Sequence, residues 1–165
     1  MTSEHLIHTI PPIYDRNSKI LILGSFPSVK SREVSFYYGH PQNRFWRVLA
    51  AVLGCAVPSS NEEKTTLLHS HNIALWDVIK SCDIVGSSDS SIKNVVPNDI
   101  GTILSSCGIR QIYSNGKTSE KLFNKYIKDT VGRDTVALPS TSPANASYNL
   151  ERLTDSWSVI KNNIR

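Results

Sequence analysis

At 165 residues, with 39% hydrophobic and 19% charged residues, the chain has the makeup of one domain on one core and not of a disordered or fibrous protein. A formal charge of +4 and a pI of about 9.0 permit a phosphate-binding face without establishing one. No apolar run approaches the roughly 18 residues that cross a bilayer, and Met1–His5 lacks a basic-then-apolar leader, so a soluble, cytoplasmic protein is expected.

Residues 1–18, with Pro11-Pro12, read as an extended or short helical lead-in. Lys19–Leu23 is an uninterrupted branched apolar run, the pattern of a strand buried on both faces. Arg44–Leu53 carries apolar residues at 45, 46, 49, 52 and 53, one helical face, closed by Gly54. Ser60–Ser70 is a second helix, opened by a capping box between Ser60 and Glu63. Ile73–Val78 is a second strand. Residues 81–98, rich in serine with Gly86 and Pro97, read as a long irregular loop. Ile100, Ile103, Leu104 and Cys107 mark a helix that stops at Gly108. Arg110–Ser114 is a third strand, Thr118–Lys128 a helix, Thr135–Leu138 a fourth strand, and Leu150, Leu153, Trp157 and Ile160 space out a last helix. Strands alternating with helices imply parallel pairing through right-handed crossovers. The expected fold is α/β, a three-layer α/β/α sandwich around a central four-stranded parallel sheet, with residues 1–165 as one domain.

In such a sheet ligands bind beyond the carboxyl ends of the strands. Those exits are Gly24-Ser25-Phe26-Pro27-Ser28, Trp76-Asp77, Asn115-Gly116-Lys117-Thr118 and Pro139-Ser140-Thr141-Ser142-Pro143-Ala144-Asn145. All carry small, polar or proline residues, which loops also favour for their own reasons. Gly116-Lys117-Thr118 imitates the end of a phosphate-binding P-loop, but the glycine needed five residues earlier is Gln111. A helix starting there could still hold one DNA phosphate through backbone donors and Lys117. The first exit, followed by Tyr37-Tyr38-Gly39-His40-Pro41-Gln42-Asn43-Arg44-Phe45-Trp46, suits a pocket for one flat nucleobase. Phe26, Tyr37 and Tyr38 are candidate stacking rings or core packing. Asn43 is a candidate helix cap, a pocket amide, or both. The five histidines show no metal spacing. Cys55, Cys82 and Cys107 are too few for an iron–sulfur cluster and read as thiols of a reducing compartment.

Gly24–Ser28 and Pro139–Ala144 resemble the two signature motifs of the uracil-DNA glycosylase superfamily, and the strand–helix order agrees over nearly the whole chain. The Tyr37–Trp46 string resembles one branch, the hypoxanthine-DNA (deoxyinosine) glycosylases. The third residue of the first motif, elsewhere Asp or Asn that positions water, is here Phe26. The branch shares that absence, and its catalytic asparagine matches Asn43. Ser140 stands where a histidine is often found.

The resemblance implies a monofunctional DNA repair glycosylase of base excision repair. It would hydrolyse the N-glycosidic bond of a deaminated base, hypoxanthine first and uracil second, and leave an abasic site. Gly24, Ser25, Phe26, Tyr38 and Asp77 would bind the everted base, although Asp77 could equally cap the next turn. Asn43 would steer water to the sugar. Lys117, Ser140, Ser142, Pro143, Ala144 and Asn145 would contact DNA. Water is the only co-reactant, so no metal or organic cofactor is expected, and the protein should act as a monomer on DNA away from membranes. A nucleoside hydrolase with the same pocket, and an inactive damage-binding module, are the competing readings.

Overall fold

The computed structural model describes residues 2–165. In chain order its elements are β1 (Glu4–Ile7), β2 (Ile20–Gly24), α1 (Val29–Val34), α2 (Phe45–Leu53), α3 (Asn61–Ser70), β3 (Ile73–Asp77), β4 (Ile79–Ile84), a 3-10 turn (Asp89–Ser91), β5 (Lys93–Pro97), α4 (Ile100–Ser106), β6 (Gln111–Asn115), α5 (Lys117–Tyr126), α6 (Lys128–Val131), β7 (Thr135–Leu138), α7 (Leu150–Trp157) and a closing 3-10 turn (Ser158–Asn162). None of its helices is long and apolar enough to cross a membrane.

Four strands form the expected parallel sheet in the order β3-β2-β6-β7. Every residue of β2 is buried, as its unbroken apolar sequence demands. Side chains alternate across a strand, so Ile20 and Ile22 enter one core while Leu21 and Leu23 enter the other. The first core is closed by α2, α3 and α7 through Phe45, Leu49, Leu68, Leu153 and Trp157. The second is closed by α4 and α5 through Ile100, Ile103 and Phe123. Helices thus cover both faces of the sheet.

The stretch 81–98 and the lead-in depart from the sequence reading. They hold a second, three-stranded antiparallel sheet of order β1-β4-β5. Three facts conceal it in the sequence. β1 is only four residues long and largely exposed, β5 ends in Pro97, and the β4–β5 ladder shifts register twice between Ile79 and Asp83. The pairing of Glu4 with Ile84 is also remote along the chain. The two sheets meet at Val78, which separates β3 from β4. Asn98 secures that junction: its buried amide donates to Asp77 O at 2.9 Å and Ile79 O at 3.1 Å.

From β2 the chain crosses to β3 on one side and later returns through β6 to β7 on the other. The carboxyl ends of β2 and β6 therefore diverge into a crevice, the usual ligand position of an open parallel sheet.

Candidate active site

A cavity of about 180 Å³ occupies that crevice. It is small beside the roughly 300–1,000 Å³ of drug-sized sites, which suits one flat ring better than a whole nucleotide. Gly24–Ser28 form one wall, Tyr37, Tyr38 and Asn43 a second, Asp77 the floor, and Asn115 and Ser140–Ser142 the far side.

Asn43 does both things its sequence position allowed. Helix α2 begins at Phe45 with Arg44 in the capping slot, one residue later than the sequence suggested. The Phe45 backbone N–H donates to Asn43 Oδ1 at 2.9 Å, and the Thr141 hydroxyl donates to the same oxygen at 2.9 Å. Thr141 Oγ1 accepts from Asn115 Nδ2 at 3.0 Å, while Thr141 N–H donates to Asn115 Oδ1 at 3.1 Å. Backbone donors at both ends fix the orientation of each amide. Among the described residues Asn43 Nδ2 has no protein partner, so the carboxamide offers the cavity two N–H donors and no free acceptor.

Thr141, fully buried, is the hinge of this relay, a role that no local pattern announces. Thr141→Val keeps the volume but removes a donor and an acceptor. It should destabilise the fold by roughly 1–3 kcal/mol and slow the reaction by releasing Asn43, as chemical denaturation beside a single-turnover assay would record.

The three candidate rings divide. Tyr37 is buried, and its hydroxyl donates to Pro11 O at 2.8 Å. Tyr38 lies against Phe45, centroids 4.1 Å apart and planes at 18°. One of its faces is therefore taken, and its hydroxyl is what matters: buried, without a hydrogen-bond partner, beside Gly24. Burial first, then the Asp77 charge, push the Tyr38 pKa upward, with Asn115 opposing, so the phenol keeps its proton. Phe26 is a cavity wall, with the Arg32 guanidinium 5.7 Å from its centroid and the His8 ring edge-on at 6.0 Å.

Asp77 is not a turn cap. Its Oδ2 lies 2.8 Å from His8 Nε2, and both side chains are almost fully buried (5% and 1% exposed). The second sheet makes this meeting: Ile7 pairs with Ser81, and His8 N–H donates to Lys80 O at 2.7 Å, which brings residue 8 back beside residue 77. The sequence reading left His8 in the lead-in and missed it. Asp77 pairs with Gly24 across β2–β3, and Gly24 is needed there, since a Cβ would stand 2.3 Å from Asp77 Oδ1.

A shallower cavity of about 680 Å³ adjoins the first and shares Ser25, Asp89, Asn115, Ser140 and Ser142 with it. It gathers Lys117, Ala144 and Asn145 as well; Pro143 is exposed outside it. Lys117 is exposed at the first turn of α5. Asn145 Nδ2 is spent on Ser140 O at 3.0 Å, so this side chain shapes its own loop. Arg44, unremarked in the sequence, ties that loop down: it donates to Ser142 O at 2.9 Å, to Asn145 O at 3.1 Å, and to Tyr148 O. Asp89 comes from the 3-10 turn, also unforeseen, and stands at the border of the two cavities. Asp89 is exposed as a residue, yet the protein packed around its carboxyl raises its pKa, opposed by hydrogen bonds from Ser25 and Thr118.

The family model described as the uracil DNA glycosylase superfamily matches residues 11–162. The chain belongs to that superfamily. A protein of Methanosarcina barkeri named hypoxanthine DNA glycosylase is 36% identical over 137 residues, 82% of this chain and 85% of its own. One of the same name from Methanosarcina acetivorans is 34% identical over 152 residues, 91% and 94% of the two chains. Among solved structures, an NMR structure from M. acetivorans, described provisionally as a uracil DNA glycosylase, superposes with a TM-score of 0.80 at 33% identity. That match covers 94% of this chain and 97% of the other. The three-layer fold and the family expected from the motifs are both borne out.

Proposed function

We propose that the protein is a DNA glycosylase that hydrolyses the N-glycosidic bond of a deaminated base, hypoxanthine foremost, and leaves an abasic site. Membership of the superfamily and two relatives named hypoxanthine DNA glycosylase support this reading. The observation that carries it is a base-sized cavity at the sheet's switch point, opening onto a second groove that begins at a helix N-terminus.

The target nucleotide leaves the stack and enters the cavity, at a cost of a few kcal/mol that a weak mispair lowers. Its ring lies along Phe26. The outer groove receives the flanking backbone, with Lys117 and the amides of the first turn of α5 near a phosphate. Pro143 and Ala144 sit on the loop that faces the duplex, and that loop is held rigid from behind by Arg44.

Asn43 supplies the group over the sugar. With its oxygen already accepting two hydrogen bonds, it can donate to a water molecule but cannot take that water's proton. Donation orients the water and leaves a lone pair aimed at C1′. The bond to the base must then be largely broken before water adds, with backbone donors near Ser25 stabilising the departing ring. Phe26 brings no carboxylate to the water, and the two carboxylates that line the cavity are engaged elsewhere, Asp77 by His8 and Asp89 by the Ser25 hydroxyl, so turnover should be slow beside carboxylate-bearing relatives.

A duplex carrying one inosine, treated with the protein and then with alkali, should break at that site. An intact strand after inosine, uracil and xanthine substrates alike would overturn the proposal, and base release from free nucleosides without loss at high salt would favour a nucleoside hydrolase. Phe26→Ala should lower both affinity and rate, since base–aromatic stacking is worth roughly 1–3 kcal/mol; titration of a labelled inosine duplex measures the first and single-turnover kinetics the second.

A further inference from the structure

Two polar atoms converge above Gly24. A Cβ built on that glycine would stand 2.3 Å from Asp77 Oδ1 and 3.1 Å from Tyr38 Oη. Both residues line the inner cavity. The two atoms are opposite in kind. Asp77 Oδ1 is an acceptor, because His8 Nε2 engages the other carboxylate oxygen at 2.8 Å. Tyr38 Oη is buried with nothing to accept its proton; the Asn115 side-chain amide approaches it only as a donor. A buried hydroxyl left unpaired is costly, and natural structures rarely keep one without a use. Its obvious use is to donate to something that enters the cavity.

Resting on the glycosylase reading above, we propose that Tyr38 Oη and Asp77 Oδ1 are a fixed donor–acceptor pair that reads the lactam edge, N–H beside C=O, of the everted base, and that His8 is the positioning residue that keeps Asp77 facing it.

Deamination makes that edge. Adenine presents an amino donor beside a ring-nitrogen acceptor. Hypoxanthine presents a carbonyl acceptor beside a ring N–H donor. Cytosine and uracil differ in the same way. A carboxylate fixed opposite the ring nitrogen therefore pairs with the N–H of the deaminated base and repels the lone pair of its parent, while the Tyr38 hydroxyl donates to the neighbouring carbonyl. Guanine and thymine carry the same lactam edge, so the pair does not reject them; their sound base pairs make eversion costly, and that keeps them out of the cavity. The specificity belongs to the class of lesion and not to purine or pyrimidine, which fits one cavity accepting hypoxanthine first and uracil second.

His8 matters because a free carboxylate could rotate toward Tyr38 and take its proton donor. The His8 contact fixes Oδ2, and Gly24 leaves Oδ1 the room it occupies. Phe26 stands edge-on to the same imidazole at 6.0 Å, so reading group and side wall share one support.

The test is single-turnover base release from duplexes carrying inosine or N1-methylinosine, in which the ring N–H is blocked. The proteins are wild type, Tyr38→Phe, His8→Ala and His8→Gln, each with a melting temperature and an affinity for the abasic product. Wild type should cleave inosine at least about tenfold faster than its N1-methyl analogue, since a site built to hydrogen-bond a group rejects the analogue lacking it. Tyr38→Phe should melt no lower than wild type, bind abasic duplex equally, and release hypoxanthine about tenfold more slowly. His8→Ala should narrow the inosine preference, and His8→Gln, whose amide can still donate to Asp77, should restore it. A purely structural histidine would slow both substrates alike and leave their ratio untouched. An active wild type with Tyr38→Phe within about twofold of it, and no penalty for N1-methylation, overturns the reading pair and leaves the glycosylase assignment standing. A wild type inactive on every deaminated base overturns the assignment and the pair with it.

Discussion

Asn43→Ala should cut single-turnover base release at least about tenfold while binding to the damaged duplex persists, the pattern of a lost positioning group. Alanine also deletes the acceptor for Phe45 N–H and Thr141 Oγ1, so a stability loss of about 0.5–2 kcal/mol accompanies it. Asn43→Asp separates the two consequences. Aspartate keeps an oxygen for both donors and so keeps the cap, but it replaces the two N–H groups with a second acceptor. A residue that acts by donation is as slow in the aspartate variant as in the alanine one. If the aspartate variant matched or outran wild type, the role of Asn43 would be acceptance of a proton or a water hydrogen, and the mechanism proposed above would be wrong. Equal rates for all three proteins would reduce Asn43 to a helix cap.

Gly24→Ala should be strongly damaging. The position has no unusual backbone requirement; the obstacle is space. The added carbon meets Asp77 Oδ1 at 2.3 Å and Tyr38 Oη at 3.1 Å, and neither can retreat. Asp77 is held by His8 and by its place in the β2–β3 ladder, and Tyr38 is stacked on Phe45. Overpacking of this kind costs roughly 1–3 kcal/mol, and a shift near 1 Å in the reacting geometry costs about a hundredfold in rate. Gly108→Ala is the matched control, since a Cβ there meets nothing within 4 Å. Urea denaturation of the two variants beside their turnover on inosine duplex should show a loss for the first only. An active Gly24→Ala protein would mean that the floor of the cavity is not where the base is read.

What could be read from the sequence follows the range of the forces involved. The parallel sheet was legible because each strand declares itself locally: Ile20–Leu23 is a buried run, and Gly108 closes a helix just before the next strand. The cavity was legible for a similar reason, since the motifs at 24–28 and 139–145 both leave carboxyl ends of strands of the same parallel sheet. The second sheet was not, because nothing within 81–98 announces a partner eighty residues away, and the serines and Pro97 that make its ladder irregular look like loop. His8 was lost with it. Its contact with Asp77 depends on a register between β1 and β4 that no local pattern specifies. Arg44 and Thr141 were missed for another reason. Arg44 holds backbone carbonyls of the 142–148 loop, which leave no trace in residue identity, and Thr141 holds the side chains of Asn43 and Asn115, which only the folded sheet brings to it.

The small sheet also changes how the front of the chain should be regarded. Its first strand is exposed and short, the sort of end that is trimmed or tagged without thought. Yet it delivers the imidazole behind the cavity floor, and it does so through pairing with β4 alone. Anything that peels those residues away would leave the central sheet and both its cores standing and still blunt the enzyme's judgement of which base to cut, a defect that an assay of folding would never reveal.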